Sequence, residues 1–368
     1  MDLSTIETST NLLQQAISLF EAQPTEIQII WTIGLLFFGL WVGYTALLYI
    51  GKATRKHKKQ RNKSLSDKQK EITDDYLFSD IDISTIPKTL YNRPYKRELF
   101  IQLLTQYQRS FKGREATKIA HIYTALNLTS HSLAKLKSRK YHIVIQGIQE
   151  LSRMNHPDLS NLCMPFVHAR QPDLANEAQI HLINQYGFTA LGIFENYTKP
   201  IPRWQQIRIL NRLKGFHNFD EVQFSPLLNS VNPDVVLLAI KVITETGRFS
   251  AAEKVFALRK AVHPQVRKQV YICMKKLSQS QLTNTMHAEL KTEQNPEVKA
   301  ALLNCLGSFA APTTYASFKR EIEHPQFEVA YQAAKGLLRI DATSGSQLAG
   351  LSNRARALVE RVKEEASL

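Results

Sequence analysis

The chain has 368 residues, 43% of them hydrophobic, and a formal net charge of +15. This apolar content excludes a chain too poor in core residues to fold, and the basic balance favours lipid headgroups, nucleic acid or an acidic protein face as partners without choosing among them. Three cysteines, Cys163, Cys273 and Cys305, stand far apart with no CxxC spacing, as reduced thiols in a cytoplasmic core would.

Residues 9–22, STNLLQQAISLFEA, place Leu12, Leu13, Ala16, Ile17 and Phe20 on one helical face before Pro24. They predict a short amphipathic helix on the membrane surface, within an exterior tail of residues 1–26. Ile29 to Ile50 is a 22-residue stretch without a charge. At 1.5 Å rise, about 20 apolar residues cover a hydrocarbon layer of roughly 30 Å, so residues 27–50 are predicted to span a membrane once. Trp31 at one end and Tyr44 and Tyr49 at the other suit interfacial aromatic belts, with Trp41 deeper. Gly39 and Gly43 form a GxxxG pair that would let two copies approach as a homodimer through this helix.

The stretch is followed at once by KATRKHKKQRNK, whose cations are Lys52, Arg55, Lys56, Lys58, Lys59, Arg61 and Lys63. No Lys or Arg precedes Lys52, whereas Asp2, Glu7, Glu21 and Glu26 do. Positive flanks stay cytoplasmic, which places the N-terminus outside and the rest of the chain inside. A cleaved signal peptide would carry its cations before a shorter apolar run, the reverse of this order. Each cation of the collar gains about 1 kcal/mol near anionic lipid headgroups. Removing the four acids and these seven cations leaves +12 on residues 64–368, so the body itself is basic. From Ser64 to about Asn92 the chain is polar, with Glu71, Asp74, Asp75, Asp80 and Asp82, then Pro87 and Pro94. Residues 51–92 therefore read as a basic collar and a solvated tether.

From Tyr95 onward helical periodicity is continuous and strand signals are scarce, which predicts an all-α body over residues 93–366. Prolines fall at 172, 202, 233, 264, 296 and 325, separated by 30, 31, 31, 32 and 29 residues. Each is predicted to open a helix, where a missing N–H costs nothing. Two places later comes a residue expected in the core: Leu174, Trp204, Val235, Val266, Val298 and Phe327. Gly187, Gly215 and Gly247 lie where helices should stop. Shorter apolar-periodic segments such as SAAEKVFALRKAV and TTYASFKREI lie between. One phase upstream, Tyr141 stands in for the proline and Ile143 for the core residue. Two antiparallel helices per thirty-odd residues is the unit of an α-solenoid, here six phased units plus two or three irregular ones.

HPQVRKQ, NPEVKAALLNCLGSF and HPQFEVAYQAAKGLLRI resemble the second helices of HEAT repeats, although Arg267 and Lys299 alone fill the basic column. With its single N-terminal span, SRKYHIVIQGIQELSRM and FSPLLNS, the chain is similar over nearly its whole length to membrane-anchored HEAT-repeat proteins of Bacteroidota. The resemblance implies an armadillo-type fold at a bacterial inner membrane and supplies no assigned catalytic residues. It also implies a protein partner in the envelope, such as an enzyme of surface-polysaccharide synthesis.

Catalytic and metal signatures do not emerge. His156, His263 and His324 each precede a proline and are expected in turns, no HExxH or paired His/Cys spacing is present, and P-loop, GxGxxG and GxSxG motifs are missing. Cys273 and Cys305 share a repeat column with Val242 and Ala334 and read as core filling. Glu150, Glu177 and Glu195 have no visible partner, and no cofactor is called for. Basic residues remain. Lys112, Arg114 and Lys118, the run Lys135, Lys137, Arg139 and Lys140, and then Arg203, Arg208, Arg212 and Lys214 group on helix flanks as candidates for partner binding. The expectation is a non-enzymatic, membrane-anchored scaffold that binds another protein. The rivals are a nucleic-acid-binding or repair protein with a basic concave face, against which the anchor argues, and an enzyme acting through residues that the repeat hides, as HEAT-like lyases that attach bilins do.

Overall fold

One helix, α1 (Thr25–Phe78), runs unbroken for 54 residues. It belongs to the computed structural model, which describes residues 18, 22, 24–79, 82–217, 224–344 and 350–367. Apart from Ser18, which is helical, and Ala22, the predicted helix at 9–22 lies outside the described residues, as do Asp80 and the side chains of Arg55 and Lys58. Residues 25–50 of α1 are long and apolar enough to cross a membrane, and none of that stretch is buried against protein. Neither Gly nor Pro occurs between Lys52 and Phe78, so nothing in the sequence stops the helix.

The expected tether is therefore helical as far as Phe78. Gln69, Thr73 and Leu77 recur every fourth residue, and all three are buried. The Gln69 amide donates to the carbonyls of Leu90 at 2.9 Å and Lys96 at 3.0 Å. Tyr107 donates its hydroxyl to Asp74, and Lys118 donates to the Leu77 carbonyl at 3.0 Å. The charges of this segment occupy the outer flank of a packed helix, and composition alone reads that flank as a linker. Asp82 caps a following 3-10 turn by accepting from the Ser84 N–H.

Packing divides the chain into two units, residues 1–131 and 132–368. In the first, α2 (Pro94–Ser110) and α3 (Arg114–Ala125) pack on each other and on α1, around Phe100, Ile101, Leu104, Ile119 and Ile122.

The second unit begins within α4 (Thr129–Leu136) and continues through α5 (Tyr141–Arg153), α6 (Leu159–Cys163) and α7 (Pro172–Tyr186). After a 3-10 segment at Gly187–Phe194 come α8 (Arg203–Leu213), α9 (Phe224–Leu228), α10 (Pro233–Thr246), α11 (Ala252–Ala257) and α12 (Pro264–Lys276). α13 (Thr283–Thr292), α14 (Pro296–Phe309), α15 (Tyr315–Glu321), α16 (Phe327–Ser344) and α17 (Asn353–Ser367) complete it. Every described regular element is helical, with no strand among the described residues. The longer helices α5, α7, α8, α10, α12, α14 and α16 pack each against the next, and shorter helices pack beside them.

Four of the six prolines open helices as predicted: Pro172, Pro233, Pro264 and Pro296. Asn232 and Asn295 cap two of these helices, their side-chain oxygens accepting from the N–H of Asp234 and Glu297 at 3.0 Å each. Leu174, Val235, Val266 and Val298 are buried in the expected column. The other two prolines fall out of phase. Pro202 is the N-cap of α8 rather than its first residue, so Gln205 turns inward and Trp204 is left 50% exposed. Pro325 stands two residues before α16; Val329 and Ala330 take the inward positions and Phe327 is 53% exposed. In α5 Val144, not Ile143, is the buried residue. Gly187 and Gly247 end α7 and α10 with positive φ, which glycine adopts without strain.

Cys273, Cys305, Val242 and Ala334 are all fully buried. At one point the helices nearly touch. A β-carbon on Gly307 of α14 would stand 3.0 Å from the Cα of Gly336 on α16, and one on Gly336 would enter the Phe318 ring.

Candidate functional site

Reactive side chains are buried rather than presented. Burial pushes the Cys163 thiol up to about 12, with the Glu177 charge adding to it, and pushes Cys273 to about 11 and Cys305 to about 12. These groups are thiols, not thiolate nucleophiles, at neutral pH. Buried His181 has its imidazole pKa lowered by burial, and its Nδ1 lies 3.0 Å from the Ser152 hydroxyl. Among the described residues no three His, Cys, Asp or Glu side chains converge as a metal site would require.

The basic groups sort into three kinds. Lys135 is a correction: it is 8% exposed, and its Nζ donates to Glu150 Oε1 at 2.6 Å. Glu150 also accepts from the Ser132 hydroxyl at 2.6 Å and the Gln146 amide at 2.9 Å. The α4–α5 hairpin closes tightly at Gly147, where an added β-carbon would lie 3.0 Å from Lys135 Cβ. This lysine is therefore held inside the hairpin and is not available to a partner. Lys137, Arg139 and Lys140 are exposed in the turn that follows.

A second set ties neighbouring elements together, mostly as rungs between successive long helices, with Arg267 reaching instead into the turn between α13 and α14. Arg208, half-buried, reaches Glu177 at 3.2 Å, and Arg267 makes two bonds of 2.9 Å to Glu293. Lys241 donates to Gln206 at 2.8 Å, Lys268 to Glu297 at 2.8 Å and Lys275 to Asn304 at 2.7 Å. Burial lowers the Lys241 pKa, and the Arg203 charge beside it lowers it further. Arg208 and Glu177 thus serve cohesion between α7 and α8.

The third set faces solvent. On α8, Arg203, Arg212 and the following Lys214 are exposed, and between them lie Trp204 and Ile207 at 50% and 47% exposure. No acid occurs from Arg203 to Lys214. The result is one strip where an aromatic and an aliphatic side chain are flanked by cations. The late start of α8 after Pro202 creates it, a shift that the proline spacing of 30 rather than 31 or 32 residues records only faintly.

In the first unit Trp31, Trp41, Tyr44 and Tyr49 are exposed on the apolar stretch. Nothing lies within 4 Å of a β-carbon built on Gly39 or Gly43. Lys52, Lys56, Lys59, Arg61 and Lys63 are exposed beyond it, and the Arg61 guanidinium lies 5.2 Å from the centre of the Tyr95 ring.

No family model matches the chain, and no curated protein matches it. A solved structure titled as an engineered protein is similar at a TM-score of 0.37 and 11% identity, over 73% of this chain and 79% of that one. A likeness so slight carries no argument about fold or function.

Proposed function

We propose that the protein is a non-enzymatic scaffold, anchored by residues 27–50 in a bacterial inner membrane, whose helix pairs form a HEAT-like α-solenoid in the cytoplasm. Its solvent-facing strip on α8 receives an acidic segment of another membrane-associated protein, an envelope polysaccharide-synthesis enzyme being the expected class. The observation that carries this reading is the strip itself, because exposed Trp and Arg are the side chains enriched where protein partners bind. The order of charge around the span supports an exterior N-terminus, and the collar supports contact with anionic lipid headgroups. The bare Gly39–Gly43 face supports a homodimer through the membrane helix.

The test is an affinity pull-down from solubilised membranes with the wild-type chain and with Trp204→Ala combined with Arg212→Glu. Recovery of a stoichiometric membrane protein by the wild type, lost in the variant, is the expected result. Recovery of nucleic acid alone would replace the scaffold by the nucleic-acid reading. Protease added to intact cells should spare the second unit, and its digestion there would reverse the topology.

A further inference from the structure

Where α8 and α10 end, a cavity of about 200 Å³ opens between them, apart from the rungs that join the long helices. Leu213 and Val242, both buried, and Leu210 and Phe216, both half-buried, supply its apolar lining. The Phe216 N–H donates to the Leu213 carbonyl at 3.0 Å, and the turn so closed brings Phe216 and His217 to the same cavity as the end of α8. Glu245 and Thr246, from the last turn of α10, meet Lys214 there.

The cavity carries both signs of charge at its mouth. Lys214, His217 and Glu245 are exposed, and among the described residues none of the three has a hydrogen-bond or ion-pair partner. A lysine and a glutamate that line one small cavity without pairing are each open to a charge on a ligand. The Thr246 hydroxyl donates to the Val242 carbonyl at 2.9 Å, which leaves its oxygen able to accept. The α8 end thus offers donors, the Lys214 ammonium and an imidazole N–H of His217, while the α10 end offers acceptors, Glu245 and Thr246. An apolar acid would satisfy Lys214 but set its carboxylate against Glu245, and an apolar amine would do the reverse. An α-amino acid carries ammonium and carboxylate on one carbon, with its side chain directed away from both. A cavity of about 150 Å³ holds a benzene ring, so this one has room for a leucine or phenylalanine side chain.

We propose that this cavity binds a free α-amino acid with an apolar side chain, its carboxylate on Lys214 and His217 and its ammonium on Glu245 and Thr246. The site stands independently of the scaffold reading. The test is calorimetric titration of the full-length protein, in phosphatidylcholine nanodiscs, with L-leucine and L-phenylalanine, empty nanodiscs serving as the blank. Saturable 1:1 binding of at least one of them is expected. Glycine, phenylacetate and phenethylamine lack the side chain, the ammonium and the carboxylate in turn, and each should bind about tenfold more weakly or worse.

Lys214→Glu and Glu245→Lys should each weaken binding by about tenfold or more, as the loss of a hydrogen bond to a charged group implies. Lys214→Glu combined with Glu245→Lys exchanges the two charges across the mouth and should regain most of the loss, which misfolding could not do. Trp204→Ala with Arg212→Glu, the pair that tests the α8 strip, should leave binding unchanged. Four outcomes overturn the site: no saturable binding of either amino acid, equal affinity for glycine, phenylacetate or phenethylamine, wild-type affinity in both single variants, or no recovery in the exchanged pair.

Discussion

The Nζ of Lys135 and the Oε1 of Glu150 lie 2.6 Å apart, with side-chain exposures of 9% and 5%. Removing one partner of such a pair strands a buried charge. Lys135→Met should lower the unfolding free energy by about 3–5 kcal/mol, and Lys135→Met combined with Glu150→Leu should recover most of that loss. Denaturant unfolding of the wild type, both single variants and the double variant measures the coupling; additive losses would refute the pairing.

Gly336 tolerates no side chain. Its β-carbon would fall within the ring of Phe318 on α15, so Gly336→Ala should cost about 1–3 kcal/mol through overpacking. Phe318→Leu in the Gly336→Ala background should return part of the loss. Thermal unfolding of the single and double variants reads this directly.

The three thiols should be silent until the chain unfolds. Cys163, Cys273 and Cys305 are each 0% exposed and have raised pKa values, so iodoacetamide at pH 8 should label none in the native protein within the time it labels all three in denaturant. Mass spectrometry counts the adducts, and rapid native labelling at any of the three would show that its layer of the core opens.

Acid should weaken the Arg267–Glu293 link. Burial raises the Glu293 pKa, but the Arg267 bonds and the Asn295 N–H outweigh it and hold the carboxyl below its ordinary value of 4.5. A carboxylate depressed in the folded state contributes stability above its unfolded pKa and loses it as pH falls through the folded one. Between about pH 5 and pH 3 the wild type should therefore lose stability more steeply than Glu293→Gln. Equal slopes would mean that Glu293 titrates alike in both states.

Much of the helical order of the second unit was legible, because proline at a helix start and a buried residue two places on are local consequences of backbone chemistry. Pro172, Pro233, Pro264 and Pro296 obey that rule. Pro202 and Pro325 break it, since proline is tolerated equally at a cap or in the preceding turn, and one residue of slippage rotates every later side chain by about 100°. Trp204 and Phe327 thereby turn from the expected core positions to solvent, and the α8 strip that results leaves only a faint mark in the proline spacing. Lys135 resembles a surface residue in sequence because charge is normally solvated; its partner lies 15 residues away, a distance that no local pattern encodes. The acids of segment 64–78 dominate its composition and suggest a tether, whereas the four-residue spacing of Gln69, Thr73 and Leu77 is the signal for packing.

The unbroken course of α1 has a mechanical consequence. From Ile50 to Leu77 the same rod continues for roughly 40 Å without a joint, and its far end is clasped by α2 and α3. Twisting or tilting the apolar end therefore turns Gln69 and Leu77 with it, as a key turns its bit. With residues 27–50 anchored in a membrane as proposed, a stress felt in the bilayer would reach that clasp as torque, with no slack in which to be lost.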